Sequence, residues 1–582
     1  MPFERGKGGK LEDLFERFWQ WRLEDSPDFA AFCGKMEYND RVDDLRVEAY
    51  IKQKPIIEGF LKEASAIDMS DLDHDSKINL RLLKEDLEST LKGLDFMGYY
   101  FPVSFLENPH INFMFRVDWM QFKEEADYQK YVACMKSFVK QLGDIETILL
   151  EGIEKKMICP IESVREVPQQ LEDLIKKIDS GTSVFLNPFK KTPTNEKLLG
   201  MVEETKTQLS EILQNQLKPA LQKLKEFFEN VYLKHSRQEP GACYLPNGKE
   251  FYDACVRFHT SSNLSPEEIH KLGLSEVERI KSEIMKIYKA ENLPLDMKEC
   301  SKLLKTRKEF FCQTKEELLE YVKKICEDEI MPLIPKYFKD LPDIEMVIKP
   351  TPEGMDSSPA AFYLAGTPDG SRMGTYMINT SKFDVSPKYE IPALCLHEGI
   401  PGHHTQASAA LKIENCPAFR CFMQDMKYYL APSRFLLHTA YMEGWGLYCE
   451  ALGTEMGLYT DNYKLLGRYN FEMHRACRLV VDTGIHALGW SRQKAIDYMN
   501  ENCPIDSLSI SNEVDRYITW PGQALGYKIG ELKIWEFRRK AEKALGSKFD
   551  IRDFHDVVLK AGCVSLCILE ELVDDYIKET LQ

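Results

Sequence analysis

The stretch His397–His404, HEGIPGHH, places three histidines and one glutamate within eight residues. A catalytic zinc site uses imidazole ligands, and a neighbouring carboxylate can serve as its general base. The common form is H-E-x-x-H on one helix, where a four-residue step brings both histidines to one face. Here Pro401 stands where the second histidine belongs, and Pro401 with Gly402 interrupts helical hydrogen bonding. The stretch therefore predicts a stretched variant of this motif with a kink or bulge at Pro401-Gly402.

The second imidazole ligand is either His403 or His404. At about 100° per residue, His403 lies roughly 240° round a regular helix from His397, whereas His404 lies about 20° away but two turns further along. A two-residue bulge at Pro401-Gly402 would bring His403 back to the ligand position. We therefore predict His403 as the ligand and keep His404 as its rival. The alternative is a helix whose histidines lie at the surface or in the core.

The third ligand is predicted in a segment about forty residues downstream, EGWGLYCE (Glu443–Glu450). A carboxylate is the usual third protein ligand of a catalytic zinc that has two histidine ligands. We choose Glu443, because apolar neighbours such as Trp445 argue against a freely solvated carboxylate. Glu450 follows seven residues later on the same helix face, and it could orient a ligating histidine. We expect one Zn²⁺ per chain, bound by His397, His403 and Glu443.

These segments resemble the domain of unknown function 885 family, whose members look like gluzincin-type zinc metallopeptidases. Weaker similarity covers Ser265–Ile280 and the helical N-terminal half. The close matches occur in the order found in the family, and they are GTYMINT (Gly374–Thr380), HEGIPGHHTQ (His397–Gln406), EGWGLYCE (Glu443–Glu450), RACRLVVDTGIH (Arg475–His486) and PGQALGYKIG (Pro521–Gly530).

The resemblance implies a zinc-dependent hydrolase. Bound zinc would lower the pKa of a water molecule toward about 7, and Glu398 would act as the general base and then as the general acid. Tyr527 is the oxyanion donor that the resemblance suggests, and His486 competes for that role. Each of these two residues could instead be a hydrogen-bonded core residue.

Two arginines are candidates for substrate binding. Arg475 and Arg478 lie at a three-residue step on a predicted helix, and they could hold a substrate carboxylate bidentately. This role would make the protein a carboxypeptidase or a dipeptidase. Alternatively, the two arginines pair with Asp482 and Glu472 and stabilise the fold.

A predicted strand, Gly374–Thr380, precedes the metal segment. By its resemblance to the strand beside the metal helix in gluzincin-like enzymes, we expect it to pair with extended substrate through main-chain hydrogen bonds. Its residues Tyr376 and Asn379 are then substrate-binding candidates. The alternative is a structural hairpin.

Composition limits the class of protein. The chain has 582 residues, a formal net charge of −17 and a pI near 5.4, and it shows no basic patch, so nucleic-acid binding is not expected. The first twenty residues show no apolar signal region, and no uncharged run approaches the roughly 20 residues that span a bilayer. The sixteen cysteines are scattered, which is typical of reduced core thiols. We expect a cytoplasmic enzyme without a membrane partner.

Helical periodicity dominates the chain, and strand signals appear only between Glu345 and Thr380. We predict a mainly α, two-lobed metallopeptidase-like fold with a small β-sheet beside the metal-binding helix. The N-terminal helical lobe would span 1–240, and the catalytic lobe would span 241–582, with the sheet at 345–380 and the metal site at 397–450. The clearest amphipathic windows are Leu11–Arg22, Val47–Ala64, Ser76–Leu91, Glu125–Lys156 and Lys197–Leu233.

Three functions remain open at this point. The first is a zinc peptidase that acts on short peptides as a carboxypeptidase or dipeptidase. The second is a zinc hydrolase of a non-peptide amide or acyl bond, because the motif specifies an activated water and not the substrate. The third is a metal-free binding protein with a decayed site. The sequence does not determine the oligomeric state.

Overall fold

A computed structural model describes residues 9–190, 196–339, 341, 344–351, 359–367, 370, 373–421 and 438–582. These residues are mainly α-helical with a small three-stranded sheet, which confirms the predicted fold class. The chain forms two compact units, Met1–Phe251 with Pro417–Leu436 and Tyr252–Cys416 with Leu437–Gln582. The boundary predicted at residue 240 falls within the first unit.

The helices in the described part of the chain begin with a run that ends at His235. This run comprises α1 (Lys10–Asp25), α2 (Pro27–Phe32), α3 (Val47–Ser65), α4 (His74–Asp95), α5 (Pro109–Trp119), α6 (Glu125–Glu154), α7 (Ile161–Val164), α8 (Val167–Asp179), α9 (Glu196–Ile212), α10 (Lys218–Phe227) and α11 (Leu233–His235). The five amphipathic windows fall on α1, α3, α4, α6 and the run α9–α11, so the periodicity located these helices correctly.

The helices that follow are α12 (Gly248–Thr260), α13 (Pro266–Ala290), α14 (Met297–Lys305), α15 (Lys315–Lys324), α16 (Ile391–Glu398), α17 (His403–Ala410), α18 (Ala418–Cys421), α19 (Thr439–Glu455), α20 (Asn462–His486), α21 (Arg492–Asn502), α22 (Ser507–Thr519), α23 (Gly526–Leu545), α24 (Ile551–Lys560) and α25 (Leu566–Leu581). Three π-helical segments continue neighbouring helices, at Leu213–Leu217, Phe228–Tyr232 and Ile325–Ile330.

The helix α6 is central to the first unit, and its apolar face is buried from Tyr128 to Leu149. In the second unit, α13 packs on α20 and α19 packs on α23. Glycines allow the second pair to approach closely. A Cβ atom at Gly530 would lie 1.9 Å from the carbonyl oxygen of Ala440, and one at Gly444 would lie 2.5 Å from the Gly530 backbone. This contact fixes the position of α19, the helix that carries Glu443.

The small sheet has the order β1-β3-β2, with β1 (Met346–Pro350), β2 (Ala361–Leu364) and β3 (Gly374–Ile378). The strand β3 pairs in parallel with β1 and antiparallel with β2. Both of its edges are therefore occupied, and its main-chain groups cannot pair with a substrate. The expectation of substrate pairing along Gly374–Thr380 is wrong, because this strand is the central one of the sheet.

Two further observations concern the helices and the cysteines. Within the described ranges, every helix is too short or too polar to cross a bilayer. All sixteen cysteines are free thiols, and most of them are buried.

Candidate metal centre

The stretch His397–His404 folds as two helices separated by a break. The helix α16 ends at Glu398, α17 begins at His403, and the Ile400-Pro401 peptide bond between them is cis. A Cβ atom at Gly402 would lie 2.0 Å from the carbonyl oxygen of His397, so only glycine fits here. The indole nitrogen of Trp445 donates a hydrogen bond of 2.9 Å to the Pro401 carbonyl. The expected irregularity is present, but it is a break between helices and not a bulge within one helix.

This break brings His403 next to His397, and both imidazoles face Glu443. The Oε2 atom of Glu443 lies 3.4 Å from Nε2 of His397 and 3.5 Å from Nε2 of His403. The two imidazole rings are nearly perpendicular, with centroids 4.7 Å apart. These three residues are the group with metal-ligand geometry in the part of the chain that the structure describes.

The distances in this group match the spacing of zinc ligands. In a tetrahedral site with bonds of about 2.0–2.2 Å, neighbouring ligand atoms lie roughly 3.3–3.6 Å apart. Direct hydrogen bonds between charged groups are shorter, at about 2.7–2.9 Å. The spacing of His397, His403 and Glu443 therefore fits three atoms arranged around a cation better than it fits a hydrogen-bonded ion pair.

The electrostatics of the group would favour a cation bound there. Burial disfavours the charged form of His397, but Glu443 and Glu450 outweigh this effect and raise the pKa of His397 to about 10. Burial also opposes ionisation of Glu443. The neighbouring imidazoles of His397 and His403 prevail there and hold the Glu443 pKa well below its ordinary value. Several carboxylates are thus concentrated in a buried site, where they attract a positive charge.

Glu450 fixes the orientation of His397. Its Oε1 atom lies 2.7 Å from Nδ1 of His397, and the residue is only 1% exposed. This contact directs Nε2 of His397 toward Glu443, as outer partners do for metal-bound histidines. A Cβ atom at Gly446 would lie 2.7 Å from Cε1 of His397, so glycine leaves space for the ring. An Nη2 atom of Arg475 lies 3.5 Å from the same oxygen of Glu450.

The rival ligand His404 does not join the group. Its Nε2 atom lies 3.0 Å from the carbonyl oxygen of Ile344, and its Nδ1 atom lies 3.1 Å from the hydroxyl of Tyr363. Both ring nitrogens are thus engaged away from Glu443. The structure brings His403 to the group and excludes His404.

Glu398, the predicted general base, is the last residue of α16 and is buried beside His397. Its negative charge is one of those that raise the pKa of His397. Its carboxylate is therefore part of the charged surroundings of the ligand atoms.

Two predicted substrate contacts lie in the core. Tyr376 is fully buried, and its hydroxyl lies 3.9 Å from Sγ of Cys395. Asn379 is 1% exposed, and its side-chain oxygen accepts a hydrogen bond of 2.6 Å from Ser381. We therefore correct the substrate-binding prediction for Tyr376 and Asn379, because Tyr376 lies in the central strand β3 and both side chains are buried.

The two candidate oxyanion donors differ in their surroundings. His486 is 1% exposed, and its Nε2 atom lies 2.9 Å from the main-chain oxygen of Tyr517. This contact gives His486 the role of a hydrogen-bonded core residue and corrects its assignment as an oxyanion donor. Tyr527 is partly exposed in the first turn of α23, and the guanidinium carbon of Arg478 lies 4.5 Å from its ring centroid.

Arg475 and Arg478, which were predicted to bind one carboxylate together, contact different partners. Arg475 reaches Glu450, as described above, whereas Arg478 donates hydrogen bonds to Glu513 at 3.1 Å and to the Tyr517 hydroxyl at 3.0 Å. The sequence reasoning did not identify Glu513. The available signal was the three-residue step from Glu513 to Arg516, but nothing in the sequence showed that these residues lie on a helix, α22, that packs beside α20.

Comparison with known proteins agrees with this architecture. The model of the family described as "Bacterial protein of unknown function (DUF885)" matches residues 27–573. The chain belongs to the DUF885 family. No curated protein matches the chain.

Two solved structures are similar over almost the whole length. A crystal structure from Colwellia psychrerythraea, described as a putative lipoprotein, is 25% identical with a TM-score of 0.89, covering 98% of this chain and 99% of that one. A structure from Shewanella oneidensis, described as a putative lipoprotein of unknown function, is 16% identical with a TM-score of 0.72, covering 97% of this chain and 100% of that one. The second likeness concerns the fold alone.

Proposed function

We propose that this DUF885 protein is a gluzincin-like, zinc-dependent hydrolase of amide bonds in short peptides. The observation that carries the proposal is the spacing of 3.4 and 3.5 Å from Oε2 of Glu443 to the imidazole nitrogens of His397 and His403. This spacing suits the tetrahedral coordination of zinc, and two histidines with one glutamate form a known ligand set for catalytic zinc.

Each residue near the site has a distinct part in this proposal. His397, His403 and Glu443 hold the ion, and Glu450 keeps His397 in the required orientation through Nδ1. Zinc, when bound, acts as a Lewis acid that polarises the substrate carbonyl and makes water a better nucleophile. The break after Glu398 separates the two histidines in sequence while keeping them adjacent in space.

Glu398 moves the proton. Its carboxylate accepts a proton from the attacking water and then delivers it to the leaving amine. Glu398 is buried, which limits competition from bulk solvent. Tyr527, which is partly exposed, remains the candidate that would donate a hydrogen bond to the developing oxyanion.

Peptides are the proposed substrates because the leaving amine of an amide needs the proton that Glu398 can supply. The preference for a carboxypeptidase or dipeptidase reaction, and the cytoplasmic location, stay predictions. Hydrolysis of a non-peptide amide or acyl bond is the competing function, since the ligand set does not itself select a peptide.

The test combines zinc content with turnover of a dipeptide panel. We expect Glu398→Gln to keep zinc and lose about 10²–10⁴-fold in turnover, because it removes the proton acceptor and leaves the ligands. His397→Ala should lose both zinc and turnover. Unchanged turnover in Glu398→Gln would contradict the role of Glu398, and a zinc-loaded wild type that cleaves no member of the panel would contradict peptide hydrolysis.

The neighbouring histidines provide a matched pair of variants. His403→Ala should release zinc, whereas His404→Ala removes the same type of ring and should retain it. If His404→Ala released zinc while His403→Ala did not, our assignment of the second ligand would be wrong.

A further inference from the structure

A second group of charged side chains lies on α20 and α22, separate from the three ligand atoms. Two guanidinium groups here share one carboxylate oxygen. Oε2 of Glu513 accepts hydrogen bonds from Arg478 at 3.1 Å and from Arg516 at 3.2 Å. The same oxygen accepts a third hydrogen bond of 2.8 Å from the hydroxyl of Tyr517. We call Arg478, Glu513, Arg516 and Tyr527 the arginine cluster.

The arginine cluster has more positive than negative charge in direct contact. Burial and the nearby Arg478 lower the pKa of His474 to about 3, so this histidine is neutral. Glu513 stays ionised, because Arg516 and Arg478 outweigh its burial and hold its pKa well below its ordinary value. The nearby carboxylate of Asp515 is bound in a bidentate pair by Arg492. Two cations thus contact one anion.

The guanidinium donors also exceed the acceptors. Among the described residues, Nη1 of Arg478 and Nε of Arg516 are buried without a hydrogen-bond partner. Burial of a donor or charge without a partner costs free energy of folding. Such groups therefore usually bind a ligand or belong to a hydrogen-bond network. The side chains of Glu513 and Arg516 are 27% and 18% exposed, so the arginine cluster can be reached from solvent on that side.

The arginine cluster is also close to the proposed metal site along α20. Arg478 lies one helical turn after Arg475, a rise of about 4.5 Å along the helix axis. Arg475 approaches Glu450 at 3.5 Å, and Glu450 is hydrogen-bonded to His397. Arg475 and Glu450 thus connect the helix of the arginine cluster with His397.

We propose that Arg478 and Arg516 bind the free α-carboxylate of a peptide substrate, with Tyr527 packed beneath the guanidinium of Arg478. This inference rests on the proposed function and specifies its substrate class as peptides with an unblocked C-terminus. The planar guanidinium group suits a carboxylate because it offers parallel donors. Arg478 keeps the role predicted for it, whereas Arg475 is replaced by Arg516 because Arg475 is directed to Glu450.

The test measures binding apart from turnover. In the zinc-loaded Glu398→Gln protein, calorimetry compares a panel of dipeptides with the same dipeptides carrying a C-terminal amide. We expect the free acids to bind at least about 10-fold more tightly, the gain typical of charged hydrogen bonds. In Arg516→Gln, added to the same background, this ratio should fall toward one, because only Arg478 then remains to hold the carboxylate. Arg516→Lys keeps the charge but loses the planar group, so an intermediate ratio is expected.

The control is Arg492→Gln. Arg492 lies on α21 and pairs with Asp515, the neighbour of Arg516 on α22, so its loss should leave the ratio unchanged. Circular dichroism of each variant checks folding. Equal binding of acids and amides, or no binding of any acid in the panel, would overturn the proposal. An acid-to-amide ratio in folded Arg516→Gln that equals the ratio without this substitution would do the same. Acid-dependent binding without hydrolysis by the wild type would leave the carboxylate site standing and reject the hydrolase function. Hydrolysis by the wild type without a preference for free acids would support the hydrolase function and reject the carboxylate site.

Discussion

Two clusters of charged side chains in the same unit differ in how closely their members approach one another. One cluster, which we call the lysine network, brings three cations into contact with three carboxylates, and its central Nζ of Lys528 lies 2.7 Å from Glu472 and 3.1 Å from Glu276. The other is the group of ligand atoms, in which the separations from Glu443 are 3.4 and 3.5 Å. The members of the lysine network are Lys528, Arg279, Arg468, Glu276, Glu472 and Glu531.

The difference shows which cluster is complete. In the lysine network the charges balance, and the partners are at hydrogen-bonding distance, as buried ions require. The ligand group has one carboxylate and two imidazoles, and its separations of 3.4 and 3.5 Å exceed the roughly 2.7–2.9 Å of a direct hydrogen bond between charged groups. We infer that the lysine network supports the fold, whereas the ligand group is arranged for an added cation.

The largest expected effect is the loss of zinc from Glu443→Gln. An amide oxygen is a weaker ligand than a carboxylate and carries no charge, so zinc affinity should fall by more than the roughly 100-fold that loss of an outer partner causes. Zinc titration against a competing chelator measures the change. A zinc affinity of Glu443→Gln equal to that of the wild type would contradict the inference that the ligand group, unlike the lysine network, is arranged for a cation.

The next effect concerns the lysine network. Lys528→Met leaves Glu472 and Glu531 buried without their shared cation, so we expect a loss of about 3–5 kcal/mol in the free energy of unfolding. Zinc affinity of the folded variant should remain within about twofold of the wild type. Chemical denaturation and zinc titration measure the two quantities, and a large loss of zinc affinity with little loss of stability would reverse our assignment.

A smaller effect is expected for Glu450→Gln. The variant can still contact Nδ1 of His397, but it loses the negative charge that makes this imidazole a stronger ligand. Zinc affinity should fall about 10–100-fold while the metal remains bound at high zinc concentration. The spectrum of the Co²⁺-substituted protein should still indicate four ligands. An affinity equal to the wild type would show that Glu450 does not act through His397.

The smallest effect is the pH dependence of the Lys528→Met destabilisation. Burial would raise the pKa of Glu472, but Lys528, Arg468 and Arg279 lower it below the ordinary 4.5. Burial would lower the pKa of Lys528, but Glu472, Glu531 and Glu276 raise it above the ordinary 10.5. The stabilisation from Glu472 is therefore present above pH 4.5, and that from Lys528 is present below pH 10.5.

The difference in unfolding free energy between wild type and Lys528→Met should thus depend on pH. It should shrink as pH falls below 4.5, because Glu472 becomes protonated. Denaturation at a series of pH values tests this. A difference that grew in acid would contradict the ionic origin of the stabilisation.

Much of the fold could be predicted from the sequence, because local residue patterns determine where the helices and strands lie. Helical periodicity identified α1, α3, α4 and α6, and strand signals placed the sheet correctly between Glu345 and Thr380. The sequence could not give the strand order, which depends on contacts between distant segments. For this reason Gly374–Thr380 was wrongly expected at an edge, and Tyr376 and Asn379 were wrongly assigned to substrate binding.

The same division applies to the candidate site. His397, His403 and Glu443 were predicted from residue type and spacing. This was possible because few backbone arrangements at Pro401-Gly402 place a second histidine beside His397. The partners of His486 and Arg475 could not be found in this way. The carbonyl of Tyr517 and the carboxylate of Glu450 are contacts made by packing between helices, which no local pattern encodes.

The central claim is that His397, His403 and Glu443 bind one zinc ion. Anomalous X-ray scattering at the zinc edge, from crystals of the zinc-loaded protein, tests it most directly. We predict a single strong peak about 2.0–2.2 Å from Nε2 of His397, Nε2 of His403 and a carboxylate oxygen of Glu443. A peak bound by other side chains, or no peak at this position when zinc is in excess, would contradict the account.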